Sequence, residues 1–191
     1  MAERTAVATP HDVVDLLLGQ HMQIRDLFVE VEVATGERRK DAFQRLVRLL
    51  AVHETAEEQL VHPMVRQAVE GGDAIVEDRL AEEHDAKKAL SELEDLGPDS
   101  QEFLPKLLLL RDSVIAHASA EEAYEFRYLR RSADAARLRA MRAMVVAIEA
   151  VAPTHPHPGV ESAKANTLVG PVAAVFDRAK DLLRKAMDGK G

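Results

Sequence analysis

Two short stretches of the chain are near copies of each other: HETAEE at residues 53–58 and HASAEE at residues 117–122. In each, a histidine is followed four residues later by a glutamate, His53 by Glu57 and His117 by Glu121. Residues four apart project from the same face of an α-helix, so each pair can offer an imidazole nitrogen and a carboxylate oxygen to one point. Each stretch therefore predicts a helix that carries a chelating pair.

Two further histidines extend this likeness into an internal repeat. His21 precedes His53 by 32 residues, and His84 precedes His117 by 33 residues. The chain thus resembles two copies of one unit, in which a histidine on one helix is followed by a His-x-x-x-Glu pair on the next. Repeats of this kind are typical of a site with two related halves.

Apolar residues around these positions recur at helical spacing, and segments containing Gly or Pro divide them into separate elements. The helix that contains His84 has the least regular pattern. The predicted elements are helices over residues 11–34, 38–69, 74–96 and 101–130, with a further helix at about 133–151. His21 and both His-x-x-x-Glu pairs fall on the apolar faces of these helices, where polar side chains are unusual.

Four long helices with short connections predict an all-α fold, an antiparallel up-down-up-down four-helix bundle in which side chains from every helix can converge. Residues 1–151 are expected to form this bundle. Residues 152–191 are expected to form a proline-containing linker and an amphipathic C-terminal helix that begins near Pro171. This last helix would pack on the bundle, mediate dimer contacts or dock a partner.

Composition excludes several classes of site and partner. The chain has a formal net charge of -8, so its field repels phosphate backbones, and nucleic acid is not an expected partner. It has no cysteine, which excludes disulfides and thiolate ligands. The N-terminal residues lack the features of a secretion signal, and no apolar run is long enough to span a membrane. We therefore expect a cytoplasmic protein, monomeric or homodimeric.

Burial of several imidazoles and carboxylates in one helical interior costs several kcal/mol for each ionised group unless something compensates it. A pair of metal ions about 3.5–4 Å apart would do so, and a nitrogen and carboxylate donor set suits iron or manganese better than zinc. Hydrogen-bonded or ionic core packing is the alternative. The predicted metal ligands are His21, His53, Glu57, His84, His117 and Glu121.

Over residues 11–130 this pattern resembles the hemerythrin-like family, also called the HHE cation-binding family. The segments that carry the resemblance are the two His-x-x-x-Glu stretches, QHMQI at residues 20–24 and EHD at residues 83–85. The resemblance implies two iron ions bridged by the two glutamates and by an oxo or hydroxo group. It also implies O2, peroxide or NO as the small ligand.

The chain departs from oxygen-carrying members of that family. Their third helix supplies two histidines, whereas Leu80 and Lys88 stand four residues on either side of His84. A missing ligand leaves open metal positions, which favours reaction with a small molecule over guarded reversible binding. Where the family commonly has an aromatic residue before proline, this chain has His62, which an ideal helix would direct away from His53. Further candidates for an extra ligand or an outer hydrogen-bond partner are Glu54, Glu58, Glu122 and Tyr124.

The function expected from these features is binding of, or reaction with, O2, H2O2 or NO in defence against oxidative or nitrosative stress. A weak catalase-like, peroxidase-like or NO-handling activity would fit this role. Reversible O2 carriage and a metal or oxygen sensor are the alternatives. Ferritin-like iron storage is disfavoured, because the Glu-x-x-His pairs that it requires are absent around the four histidines.

Overall fold

The computed structural model describes residues 11–150, except for the side chain of Ala68. These residues form helices and no strand, which confirms the all-α prediction. A single π-helical turn, Glu57–Val61, joins the second helix to the third. The helices are α1 (Val13–Val33), α2 (Glu37–Ala56), α3 (His62–Ala68), α4 (Gly72–Leu96), α5 (Phe103–Ala123), α6 (Glu125–Ser132) and α7 (Ala135–Glu149).

Four rods make up the bundle, because α2 continues through the π-helical turn into α3 and only Tyr124 separates α5 from α6. α1 packs against α2, and α4 packs against α3 and α5. Three residues connect α1 to α2 and α3 to α4, so these neighbours must run in opposite directions. α7 packs across α1 and α2 as a fifth rod. Among residues 11–150, no helix has the length and apolarity needed to cross a membrane.

Local signals set the helix ends. The Asp12 carboxylate accepts a hydrogen bond from the backbone N–H of Asp15 at the start of α1, and Asp134 caps α7 in the same way. Gly97 ends α4 with a φ of 75°, a left-handed value that favours glycine. The predicted helix over residues 133–151 is therefore present as α7, whereas the predicted C-terminal helix lies outside the described residues.

The hydrophobic core consists of two clusters. One is built around Leu17, Phe126 and Met141, and the other around Phe28, Phe43 and Leu107. Between them along the chain lie buried polar residues of α1, α2 and α5, among them the predicted ligands His21, His53 and Glu121. Apolar packing on both sides therefore fixes the helices that carry this polar layer.

Gly72 begins α4 close to the preceding helix. A Cβ atom at this position would lie 2.3 Å from the carbonyl oxygen of Val65. Gly72→Ala is expected to destabilise the protein by about 1–3 kcal/mol, the usual cost of overpacking, as measured by chemical denaturation. Gly19→Ala is the matched control: nothing lies within 4 Å of its Cβ position, and alanine should stabilise α1 by about 0.5–1 kcal/mol. Equal stability of both variants would contradict the close approach of α3 and α4.

Candidate metal centre

Five of the six predicted ligands converge inside the bundle. His21 comes from α1, His53 from the last turn of α2, Glu57 from the π-helical turn, and His117 and Glu121 from α5. Glu57 and Glu121 have no exposed surface, and His117, the most accessible of the five, is 13% exposed. The helical spacing of each His-x-x-x-Glu pair thus brings its two side chains to one interior point.

The ring Nε2 atoms form the centre of this cluster. Nε2 of His21 lies 3.0 Å from Nε2 of His53 and 3.4 Å from Oε2 of Glu121. Nε2 of His53 lies 3.3 Å from Oε1 of Glu57, and Nε2 of His117 lies 3.5 Å from Oε1 of Glu121. Three imidazoles and two carboxylates therefore present their donor atoms to a shared space.

Each imidazole is oriented from outside through its Nδ1 atom. Nδ1 of His21 lies 2.9 Å from a carboxylate oxygen of Glu122, and Nδ1 of His117 lies 2.8 Å from one of Glu82. Carboxylates only accept, so each Nδ1 carries the proton and donates it. Nδ1 of His53 lies 2.7 Å from the side-chain oxygen of Gln20, whose amide nitrogen donates to Glu149 and so fixes its orientation.

With a proton on Nδ1, a neutral imidazole has only a lone pair on Nε2. When both rings are neutral, Nε2 of His21 and Nε2 of His53 face each other across 3.0 Å with no proton between them, an arrangement that a cation would stabilise. Outer acceptors of this kind are typical of metal-binding histidines. Sequence reasoning named Glu122 as a candidate for an outer partner but missed Gln20 and Glu82 in this role, although Gln20 directly precedes His21 and Glu82 lies two residues before His84.

Most carboxylate oxygens of the cluster are buried and have no hydrogen-bond partner within residues 11–150. Among the described residues, both oxygens of Glu57, both oxygens of Glu121 and Oε2 of Glu83 are buried without one. Buried polar groups are normally hydrogen-bonded, and leaving one unsatisfied costs about 1–3 kcal/mol. A bound cation would satisfy all of these oxygens at once.

The ionisable groups respond strongly to burial. Burial, followed by the proximity of His21, lowers the pKa of His53 to about 3, so its ring stays neutral. Burial and the charge of Glu121 raise the pKa of Glu57 well above its ordinary value. Burial opposes ionisation of Glu121, but the neighbouring imidazoles of His117 and His21 outweigh it and hold the pKa well below its ordinary value. Without metal the cluster therefore retains protons that a cation would displace.

The donor atoms form two overlapping groups, each within 4.8 Å: His21, His53, Glu57 and Glu121, and Glu57, Glu83 and His117. Glu57 belongs to both groups, and Glu121 contacts histidines of both. Carboxylates can bridge two metal ions through their two oxygens, as in other paired-metal sites. The residues present therefore fit a metal site, and their nitrogen and oxygen donors are of the kind that suits iron or manganese.

His84 is the predicted ligand that the structure does not bring to the centre. Its side chain is exposed on α4, whereas the neighbouring Glu83 is only 2% exposed. The prediction rested on the 33-residue step from His84 to His117, but the buried face of α4 runs from Val76 through Glu83 and Lys87. Glu83 thus takes the place expected for His84 among the candidate donors.

His62 also differs from the expectation of an outward position. It is 2% exposed, and its Nε2 atom lies 2.6 Å from Oε1 of Glu83. The π-helical turn between His53 and His62 contains one more residue than an α-helical turn, which rotates His62 toward the interior. The following Pro63, which cannot donate a backbone hydrogen bond, was the sequence signal for this irregularity.

The other candidates for an extra ligand separate into buried and exposed residues. Glu54 and Glu58 are buried beside Lys87, whose Nζ atom lies 3.7 Å from Glu54 and still closer to Glu58. Burial raises the pKa of Glu54 to about 8. Tyr124 is 73% exposed, because the interruption between α5 and α6 turns it away from the apolar face. It therefore does not reach the centre.

A cavity of about 490 Å³ leads to this cluster. It lies mainly between α4 and α5, and His21, His53 and His117 form part of its wall together with Glu54 and Glu83. The centre is therefore buried within the helices but lies beside a space that a ligand can occupy.

Comparison with known proteins agrees with this geometry. The model of the hemerythrin HHE cation binding domain matches residues 12–129, which include the whole cluster. An uncharacterised hemerythrin-like protein of Schizosaccharomyces pombe is 23% identical over 174 residues, which are 90% of this chain and 86% of the yeast protein.

A second relative is a Nostoc protein described as a DNA nickase. It is 26% identical over 117 residues, which are 61% of this chain but only 33% of the Nostoc protein. The chain thus matches about a third of the length of this relative. No solved structure matches the chain significantly.

Proposed function

This chain belongs to the hemerythrin HHE cation-binding family, and from that premise we propose that it holds two iron ions and reacts with O2, H2O2 or NO. The observation that carries the proposal is the convergence of three imidazole Nε2 atoms on two buried carboxylates that have no hydrogen-bond partner in the described part of the chain. Iron would supply the redox chemistry. The candidate ligands are His21, His53, His117, Glu57, Glu83 and Glu121.

The protein's own side chains would orient and enclose the reacting centre. Glu122, Gln20 and Glu82 hold the three imidazoles with Nε2 inward, so little reorganisation is needed when a cation binds. Phe126 stacks on the ring of His21, with centroids 5.3 Å apart, and shields that ring from the adjoining apolar core. The cavity between α4 and α5 provides the route for a small ligand.

Reaction rather than oxygen carriage follows from the donor set. In the oxygen-carrying members of the family the third helix supplies two histidines. In this chain α4 contributes one candidate carboxylate, Glu83, in their place. Fewer nitrogen ligands leave metal positions for an incoming molecule. We also propose that the protein is a monomer or a homodimer. Its ligand is a small diatomic molecule or peroxide, and it binds neither nucleic acid nor a membrane.

Iron loading under anaerobic conditions tests the proposal. Wild-type protein should bind about two iron ions per chain and develop charge-transfer absorption that changes when H2O2 or NO is added. His53→Ala and His117→Ala variants should lose iron, whereas His11→Ala, an exposed position outside the helices, should retain it. If the spectrum of the iron-loaded protein did not change with H2O2 or with NO, and no peroxide were consumed, the proposal would be rejected.

Two further measurements separate the alternatives. Mixing reduced protein with O2 and then degassing restores the starting spectrum only for a reversible carrier. Incubation with supercoiled plasmid tests the activity named for the Nostoc relative. The net charge of -8 opposes binding to DNA, so we expect no metal-dependent nicking.

A further inference from the structure

We infer that the cavity between α4 and α5 binds a neutral organic molecule with an elongated alkyl or aryl body, placed with its polar end toward the metal centre. This inference deepens the proposed function, because it names the class of molecule that reaches the same site. It rests on the size of the cavity, the chemistry of its walls and the charges along it.

The cavity is far larger than a diatomic ligand requires. It measures about 490 Å³, whereas a water molecule takes about 30 Å³ of liquid, and O2, NO and H2O2 are of that scale. Packed protein interiors contain few voids larger than one water. Sites for organic ligands typically have volumes of about 300–1,000 Å³. The observed volume therefore fits an organic molecule and is much larger than a diatomic molecule needs.

Most of the wall surface is apolar, and the lining follows the axis of α5. α5 contributes Leu109, Leu110 and Val114, and α4 contributes Ala86 and Ala89, whose small side chains leave the space open. Along α5 the lining extends from residue 106 to residue 118, a distance of about 18 Å at 1.5 Å per residue. An elongated apolar body matches this shape, and burying it supplies the binding free energy.

One end of the lining is the metal centre, since His21, His53 and His117 line the cavity. Toward the other end of the α5 lining, Leu109 is 72% exposed, although large apolar side chains are usually buried. An exposed leucine beside the cavity provides apolar surface that an entering organic molecule would cover.

Charge along the cavity argues against an anionic ligand. Two cations line it, and both have carboxylate partners: Arg25 lies 2.8 Å from Glu122, and Lys106 lies 3.1 Å from Glu92. Carboxyl groups outnumber these cations among the lining residues, and three of them, Glu82, Asp85 and Glu92, are exposed on the solvent side of the cavity. These exposed carboxylates would repel a fatty acid carboxylate as it enters, whereas an alcohol or another neutral molecule of the same length would not be repelled.

Fluorescence of the neutral dye N-phenyl-1-naphthylamine tests the inference with the iron-loaded full-length protein. The dye should bind with enhanced emission, and 1-decanol should displace it at concentrations at which decanoate does not. Ala89→Phe should weaken dye binding by about tenfold, because the ring fills the cavity. Ala136→Phe is the matched control on the exposed face of α7 and should bind the dye as wild type does.

Leu109→Glu provides a second test that does not disturb the core, since this side chain is mostly exposed. It should weaken dye binding by about three- to tenfold through loss of apolar contact, while Val29→Glu, on exposed surface of α1, should not. Unchanged dye binding in both Ala89→Phe and Leu109→Glu, or displacement by decanoate in preference to 1-decanol, would overturn the inference. Iron content measured in the same samples separates this failure from failure of the proposed metal site.

Discussion

Replacing Glu57 with methionine is expected to stabilise the metal-free protein and to destabilise the iron-loaded protein. In the metal-free state, Glu57 is a fully buried carboxyl group without a hydrogen-bond partner among the described residues. Methionine has similar length and helix propensity and no polar atom to leave unsatisfied. The free energy of unfolding should therefore rise by about 1–3 kcal/mol.

With iron bound, the same substitution should lower the free energy of unfolding, because Glu57 belongs to both candidate donor groups. A ligand that binds only the folded state stabilises it by about 4 kcal/mol at a thousand times its dissociation constant. Glu57→Met should lose most of that contribution. Chemical denaturation with a chelator and, separately, with anaerobic ferrous iron measures both changes on the same two proteins.

Glu30→Met is the matched control for this reversal. Glu30 lies on α1 with 48% of its side chain exposed, so its replacement should change stability by less than about 0.5 kcal/mol in either condition. If Glu57→Met changed stability in the same direction with and without iron, the buried carboxylate would serve core packing rather than metal binding.

Hydrophobic spacing was sufficient to predict the helices and most of the centre. Three- and four-residue steps between apolar positions predicted which helix faces are buried. The buried faces contain Leu17, His21 and Ile24 in α1, and Leu110 and Val114 in α5. The described helices begin and end within two residues of the predicted bounds. Residues four apart in a regular helix stay on one face, so the two His-x-x-x-Glu pairs could be placed from sequence alone.

Departures from regular helix geometry could not be read from spacing. The π-helical turn at Glu57–Val61 shifts the phase of every residue after it, which brings His62 inward. The orientation of a buried histidine or glutamate also depends on hydrogen-bond partners that come from distant parts of the chain. Gln20 joins His53 to Glu149 of α7, a contact that no local pattern indicates.

The rotation of α4 is the second feature that local pattern could not determine. The buried face of this helix includes Lys87, a residue that spacing rules assign to solvent. Its ammonium group pairs with Glu58 and lies near Glu54, and these carboxylates outweigh burial and raise the pKa of Lys87. With Lys87 inward, Glu83 four residues earlier must also face inward, and His84 faces solvent.

Glu83→Gln and His84→Gln are therefore expected to differ sharply in metal binding, although the two residues are neighbours. Glu83 forms one candidate donor group with Glu57 and His117, and its Oε2 atom is buried without a hydrogen-bond partner among the described residues. Glutamine removes the charge and keeps the size. Iron bound per chain should fall from about two to about one, since two-metal sites depend on each carboxylate for charge balance.

His84→Gln should leave both the iron content and the dissociation constant unchanged, because its side chain lies on the exposed side of α4. Metal analysis after gel filtration, with circular dichroism to verify folding, compares the two variants under identical loading. The opposite outcome, iron lost from His84→Gln and kept by Glu83→Gln, would mean that α4 turns by one residue, about 100°, when metal binds. That rotation would also expose Lys87, so the same pair of variants tests whether the contact between Lys87 and Glu58 is kept when metal binds.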